Sequence, residues 1–361
     1  MNVATVGTGY DAGLTLVNAP PVVVRADASA DAADAYIATH RLGTTYHRAA
    51  WLEVIRNAFG HKTKHLVAES GGRVAGVLPL VFFQSRLFGT FAVSLPFLNY
   101  GGILADGPEA ERALLERAIE ETQRAGGTHL ELRHTRQHFG DLVSKRHKVA
   151  MELPLAPTVE EQWHALDKKV RNQVRKAEKS AVVILDGGAD LLADFYAVFA
   201  RNMRDLGTPV YSARLFRQVL ATFPNHSRVF VATLDGRPIA ASVVHWYRHG
   251  IEVPWASSLR EFNPLCANVL LYWQMLQFAI ERGFKTFDFG RSTPGEGTYQ
   301  FKKQWGAVPR ELVWEYWTAP GKPVPDLNPG NPAYARAIQI WQRLPVKVAT
   351  LLGPAVVRNI P

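Results

Sequence analysis

The sequence predicts an α/β protein built from two tandem domains with mixed sheets, and three observations carry that expectation. At 361 residues the chain exceeds what one ordinary hydrophobic core organises, so two domains or a duplicated unit are expected. Hydrophobic residues make up 47% and charged residues 20%, a composition that buries well and excludes disorder for the bulk of the chain. The second half also repeats the grammar of the first. Val67-Ala68-Glu69-Ser70-Gly71-Gly72-Arg73 matches Val231-Ala232-Thr233-Leu234-Asp235-Gly236-Arg237, and the run from Ala125 to Leu132 corresponds to that from Arg282 to Phe289. Each copy reads as hairpin, strand, helix, strand, with the helix laid on a mixed sheet. Domains are expected over 35–164 and 165–320, after a loosely packed leader over 1–34 and before an amphipathic tail over 321–361. The cleft between the copies is the default site.

The elements follow in order. Residues 1–34 are rich in Ala, Gly, Asp and Val without sustained periodicity, which reads as a mobile leader. A helix is expected from Arg48 to Phe59. Strands His65 to Glu69 and Val74 to Phe83 are joined by Ser70-Gly71-Gly72, a hairpin turn signal. Glycine and proline punctuate a third strand ending at Asn99-Tyr100-Gly101-Gly102. Glu109 to Ala125 has apolar residues at helical spacing, and Gly126-Gly127 stops it before the strand His129 to Arg133. In the second half a basic helix covers 165–180 and a strand ends in Glu252 to Ser258. Asn263-Pro264 then reads as an N-cap with first-turn proline, whose free N–H groups suit a phosphate or a carbonyl oxygen.

Charge and cysteine usage narrow the function classes. Lys and Arg number 41 against 32 Asp and Glu, a formal +9 that favours a phosphate-bearing or polyanionic partner. The excess is concentrated at Lys168, Lys169, Arg171, Arg175, Lys176 and Lys179. Arg171, Arg175 and Lys179 are successive i, i+4 neighbours, which repel unless an anion lies along them. No helix-turn-helix, finger or RNP signature accompanies the run, so DNA is not an expected partner, whereas a tRNA backbone or a diphosphate stays open. Cys266 stands alone, which excludes an internal disulfide and a multi-cysteine metal site. The histidines lack metal-ligand spacing, and no metal is expected. The nearly apolar stretch Val74 to Phe83 is about half the ~20 residues of a membrane span. The opening residues lack the basic and apolar regions of a secretory signal, so a cytoplasmic location is expected.

Chemistry is densest between Glu252 and Gly306. The strand Thr286 to Phe289 runs into Gly290-Arg291-Ser292-Thr293-Pro294-Gly295-Glu296-Gly297-Thr298-Tyr299, a loop rich in glycine, hydroxyls and donors. It lacks the Lys-Ser/Thr ending of a P-loop and the spacing of a dinucleotide fingerprint, so nucleotide hydrolysis and NAD binding are not supported. It delivers Gln300-Phe301-Lys302-Lys303-Gln304-Trp305, where aromatic neighbours exclude water and strengthen a cation's pull on developing negative charge.

The basic helix Arg171-Asn172-Gln173-Val174-Arg175-Lys176-Ala177-Glu178-Lys179 together with the late Gly297-Thr298-Tyr299-Gln300-Phe301-Lys302-Lys303-Gln304-Trp305-Gly306 resembles the FemAB family of tandem acetyltransferase-like proteins. The likeness extends through Asn202 to Ser212, including Tyr211, through Glu252 to Leu259, and through Phe287 to Pro294. It points to the branch associated with exosortase, PEP-CTERM and exopolysaccharide gene clusters, and covers roughly residues 40–320. The resemblance implies two GNAT-like domains and transfer of an acyl or aminoacyl group to an amine of a cell-envelope or exopolysaccharide precursor. Acyl-CoA or aminoacyl-tRNA would be co-substrate, with no tightly bound cofactor, and the partner would be a glycan or peptide-glycan precursor. The family's functional lysine lands on Lys302.

Direct attack by an amine requires a general base, a held carbonyl and a group to meet the oxyanion. Lys302 is the candidate for stabilising the oxyanion or a phosphate, and Asp288, Glu252 and Glu296 are carboxylates from which a base can be drawn. Tyr100, Arg171, Arg175, Tyr211, Trp255, Ser257, Arg291, Ser292, Gly297, Thr298 and Tyr299 are candidate substrate contacts. Two alternatives share this cleft: a CoA-dependent N-acyltransferase acting on an amino sugar, and a non-catalytic factor that binds polysaccharide precursors. The tail over 333–361 combines apolar residues with Arg336, Arg343, Lys347 and Arg358, which suits either peripheral contact with an anionic membrane or packing back on the second domain.

Overall fold

The computed structural model describes residues 20–26, 29–85, 88–325 and 332–360. In the first half, β1 (Val23–Ala26), α1 (Ala30–Thr39) and α2 (Ala49–Phe59) precede the hairpin β2 (Lys62–Ser70) and β3 (Arg73–Ser85). β4 (Gly89–Val93), β5 (Leu104–Ala105), α3 (Pro108–Arg124), β6 (His129–His134) and β7 (Val143–Pro154) follow. The second half has α4 (Val159–Ala165), α5 (Lys168–Lys179), β8 (Val183–Gly187), α6 (Leu192–Leu206), α7 (Ala213–Thr222) and the hairpin β9 (Ser227–Leu234) and β10 (Arg237–Tyr247). β11 (Gly250–Ser258), α8 (Ala267–Glu281), β12 (Thr286–Ser292), α9 (Gly297–Lys303) and β13 (Val308–Thr318) complete it, and α10 (Pro332–Arg343) and α11 (Val346–Val357) form the tail.

The described strands form one thirteen-stranded mixed sheet in the order β1-β2-β3-β4-β6-β13-β7-β12-β11-β10-β9-β8, with β5 on β3. The repeat is visible in it. Apart from β5, the series β2, β3, β4, α3, β6, β7 recurs as β9, β10, β11, α8, β12, β13, and the parallel pairing of β4 with β6 is matched by that of β11 with β12. The last strand of each half crosses over: β7 lies against β12, and β13 lies between β6 and β7. This exchange fuses two sheets into one, so residues of both halves share the central strands.

Helices on the faces close three large cores, and α1 closes a smaller fourth through Ala33 and Ile37 against Val67, Val77 and Leu104. α3 covers β2, β3 and β6 through Leu114, Leu115 and Ala118, and α5 and α8 cover β9 to β12 through Val170, Val174, Leu270 and Met275. A third core joins the halves, because Trp51 and Ile55 of α2 pack with Phe216 and Val219 of α7 and with Trp255 of β11. Burial of such side chains stabilises by roughly 1.5–3 kcal/mol each.

Two expectations are corrected. Residues 1–19, 27 and 28 of the expected leader lie outside the described residues, but 23–26 and 30–34 belong to regular structure: β1 pairs with β2, Arg25 bonds Glu69, and Ala33 and Ile37 of α1 are fully buried. The period of this short segment was masked by its alanines. The Asn263-Pro264 N-cap is also displaced. Those residues belong to a 3-10 turn over Arg260–Leu265, the chain becomes left-handed at Cys266 (φ +59°), and α8 starts at Ala267. The proline is accommodated in the turn, and the helix's first free N–H groups belong three residues later.

Candidate active site

The site forms where β11 and β12 part. They pair in parallel only over Gly250–Glu252 and Thr286–Asp288, and beyond that they diverge around a cleft of about 640 Å³. Gly290 sits just past the end of that pairing, in close approach to the neighbouring strand. Its φ is +77°, and a Cβ there would sit 2.9 Å from the Val253 carbonyl oxygen and 3.2 Å from Asn99 Nδ2, so a side chain is excluded. The register of β12 against β7 slips between Asp288 and Arg291, a bulge of the kind that re-aims side chains near sites.

Three ionisable groups converge there. Glu252 and Asp288 are register partners on adjacent strands, hence about 4.8 Å apart in backbone and on the same face. Both are buried. Burial, with Asp288 beside it, holds the Glu252 carboxyl well above the usual carboxylate range, partly offset by a hydrogen bond from Asn99 Nδ2. Burial, with Glu152 beside it, also raises Asp288, whose Oδ1 accepts the Gly290 N–H at 2.7 Å while its Oδ2 has no partner. Two such carboxyls titrate as a pair and retain protons above the ordinary range. Lys302, on α9, is 8% exposed and donates from Nζ to the carbonyls of Gly290 (2.9 Å) and Arg291 (3.0 Å). Burial lowers its ammonium to about 8 against the opposing pull of Asp288 and Glu252. An ammonium has three donors, so one is left for a ligand.

Two cavities back onto this triad. The cleft is lined by Asn99, Asn202, Val253, Ser257, Cys266, Asn268, Phe289, Gly290, Arg291, Gly297, Thr298 and Lys302. A second cavity, of about 330 Å³, is lined by Tyr100, Glu152, Glu252, Asp288 and Arg310, with Arg41, Arg248 and Lys285 also on its wall. Consecutive residues serve the two: Asn99 and Tyr100, Val253 and Glu252, Phe289 and Asp288. Successive strand residues point to opposite faces, so the cavities lie on opposite faces of the sheet at the point where it opens.

In the first half, a cavity at the end of β6 measures only about 30 Å³, room for a water. The His134 ring fills it: a Cβ on Gly102 would sit 1.8 Å from His134 Cδ2, and His134 Nδ1 is held by Glu315 Oε2 at 2.6 Å.

The remaining sequence candidates divide. Ser257 lines the cleft and accepts from Asn202 Nδ2 at 3.0 Å. Arg291 lines it with its guanidinium 5.2 Å from the Trp314 ring centre, and burial beside Arg133 lowers it to about 10. Ser292 is buried with its hydroxyl unpartnered. Tyr100 faces the second cavity and packs edge-on to Tyr46. Trp255 and Tyr211 go elsewhere: Trp255 meets Phe216 in the joining core, and Tyr211 packs among Phe59, Phe97 and Phe199. Tyr299 packs on the second-half core. On α5, Gln173 rather than Arg171 or Arg175 lines the cleft, and Arg175 stacks on Trp163 at 5.4 Å. Asn99, Glu152 and Arg310 were not singled out from sequence. Glu152 sits in the apolar-acidic-apolar run Met151-Glu152-Leu153, the pattern that marked Asp288, and that run is the signal by which it could have been found.

Residues 165–303 match the family described as acetyltransferase (GNAT) domain. The FemX crystal structure superposes over 80% of this chain and 96% of its own, with a TM-score of 0.63 and 16% identity. A tandem GNAT protein from the clavulanic acid biosynthesis pathway covers 84% of this chain and 100% of its own (TM-score 0.51, 14% identity). The C-terminal domain of a putative lysylphosphatidylglycerol synthetase from Agrobacterium fabrum covers 79% and 90% (TM-score 0.53, 11% identity). The fold is that of the tandem GNAT proteins. No curated protein sequence matches the chain. Among the described residues no helix is long and apolar enough to cross a membrane, and no group of three or more His, Cys, Asp or Glu is placed to hold a metal ion.

Proposed function

We propose that the chain is an N-acyltransferase that takes an acyl group from an acyl-CoA thioester in the β11–β12 cleft and delivers it to an amine entering from the second cavity. The observation that carries this reading is the pair of cavities on opposite faces of the sheet, meeting at Glu252, Asp288 and Lys302. A long thioester donor can reach through the opening between parted strands while the acceptor approaches from the other side. The donor's polar portion has Asn268 and the start of α8 beside it.

The chemistry follows from the groups present. An acceptor ammonium is drawn by Glu152, Glu252 and Asp288. Glu252, basic enough by burial to take a proton near neutrality, deprotonates it. The amine nitrogen then bonds the thioester carbon, the carbonyl π pair moves to oxygen, and the remaining Lys302 donor meets that oxyanion. Collapse breaks the C–S bond, the nitrogen sheds its surplus proton, and that proton ends on the departing thiolate, so that amide and free thiol are the products. Arg41, Arg248, Arg310 and Lys285 around the same cavity suit an acceptor that carries a phosphate or carboxylate, as an amine-bearing cell-envelope or exopolysaccharide precursor would. Acyl-CoA is favoured over aminoacyl-tRNA as donor because the cleft beside α5 is met by Gln173, while Arg175 is engaged with Trp163. Incubating the protein with labelled acyl-CoA and charged tRNA pools, with small primary amines as acceptors, tests the reading. Consumption of acyl-CoA is expected; consumption of charged tRNA alone, or of neither, contradicts it.

A further inference from the structure

We infer that the tail is a membrane-docking surface for anionic phospholipid. The inference rests on α10 and α11 and is independent of the reaction assigned above. α11 is apolar on two faces, and the body covers one of them. Its inner positions Ala349, Gly353 and Val357 are buried, and Gly353 lies so close to Val210 that a Cβ would sit 2.8 Å from its backbone nitrogen. The preceding helix is anchored as firmly. A Cβ on Gly207 would sit 2.4 Å from Ile338 Cγ2 and Arg204 Nη1 donates to the Leu344 carbonyl at 2.8 Å, while at the far end of α11 His61 Nε2 bonds the Arg358 carbonyl at 2.8 Å.

The outer face is uncovered. Lys347, Val348, Leu351, Leu352, Ala355 and Val356 recur at i, i+1, i+4, i+5, i+8 and i+9, one stripe of the helix. Leu351 is 78% exposed and Leu352 47%, and Ile340 of α10 adds 57%. The cations Arg336, Arg343, Lys347 and Arg358 are exposed around the stripe, and no Asp or Glu occurs from residue 327 to 361. A cavity of about 540 Å³ adjoins the end of α11, lined by His61, Lys62, Phe82, Ala355, Arg358 and Asn359, two cations and no carboxylate. An apolar stripe, a ring of unopposed positive charge and a basic pocket beside them match the two layers of an anionic lipid surface: acyl chains for the leucines, phosphates for the cations. A protein partner of ordinary composition would need an acidic rim to match. Two helices of 12 residues separated by Pro345 are each about 18 Å long, too short to span, so the tail lies flat.

Vesicle sedimentation of the full chain tests this, with phosphatidylcholine alone and with added phosphatidylglycerol. Sedimentation is expected only with the anionic vesicles and should weaken as salt rises. Arg343→Gln and Lys347→Gln should each weaken it roughly five-fold. The double variant Leu351→Ser with Leu352→Ser, on the solvent side of a docked helix, should lose it while keeping the wild-type melting temperature. No sedimentation of the wild type, or undiminished sedimentation of the double serine variant, overturns the inference. So does a concentration-dependent dimer abolished by the serines without lipid binding, which assigns the face to a second copy of the chain.

Discussion

Replacing Glu252 by glutamine changes the proposed general base by one atom and should separate its two physical roles. The side chain is buried, Asn99 can still donate to the remaining oxygen, and no volume is lost, so the fold should persist. Catalytically, a positioned base contributes 10²–10⁴-fold, or about 3–5 kcal/mol at 1.36 kcal/mol per decade. The variant should therefore lose roughly 100-fold or more in kcat/KM with little change in donor KM, and the acid limb of its pH profile should flatten. Thermodynamically the sign is opposite. Burial raises the folded carboxyl above its unfolded value, so its stability contribution is complete below the ordinary carboxylate range and is lost as pH rises through the folded pKa. Glutamine cannot ionise, so the variant should gain stability relative to wild type toward alkaline pH. Thiol release from acetyl-CoA with a primary amine gives the first readout, and urea unfolding across pH gives the second. Wild-type kcat/KM with an unchanged acid limb would refute the assignment of Glu252.

Further outcomes follow from the same geometry. Lys302→Met should lower kcat by ~100-fold or more, as loss of one oxyanion contact does, and a wild-type rate at intact fold would remove Lys302 from the reaction. Asn99→Ala removes a donor that favours the ionised Glu252, so the acid limb should move to higher pH; a shift to lower pH contradicts the network. Gly290→Ala places a methyl 2.9 Å from the Val253 carbonyl oxygen at φ +77°. It should lower the melting temperature and the turnover together, and an inert substitution would contradict the tight fit of Gly290 against Val253 and Asn99.

The sequence made the repeat legible because its signals are local. Glycine turns at Gly71-Gly72 and Gly236, glycine stops at Gly126 and Gly283, and the paired acidic residues Glu131 and Asp288 mark both halves without reference to distant contacts. Lys302, Glu252, Asp288 and the glycine loop were likewise visible as chemistry concentrated in one stretch. What was not visible is what the chain assembles over distance. The exchange of β7 and β13 between halves depends on pairing across some 160 residues, and it is this exchange that carries Glu152 and Arg310 to the carboxylates. In sequence Asn99 has only the look of a strand end, whereas in the fold it donates to Glu252 from the other half. Trp255 and Tyr211 lie in segments that carry the family resemblance, and their rings serve the core between halves, where large aromatic burial is worth more than contact with a ligand.

The central claim is that an acyl-CoA donor occupies the cleft between β11 and β12. Cys266 gives the most direct test of it. This residue is the one cysteine of the chain, is partly exposed, and lines the cleft at the start of α8. Its alkylation by iodoacetamide, followed by intact-protein mass, therefore reports on the cleft alone. Saturating acetyl-CoA should slow that alkylation strongly, whereas inorganic phosphate should leave it unchanged. An alkylation rate that acetyl-CoA does not alter would place the donor elsewhere and contradict the account.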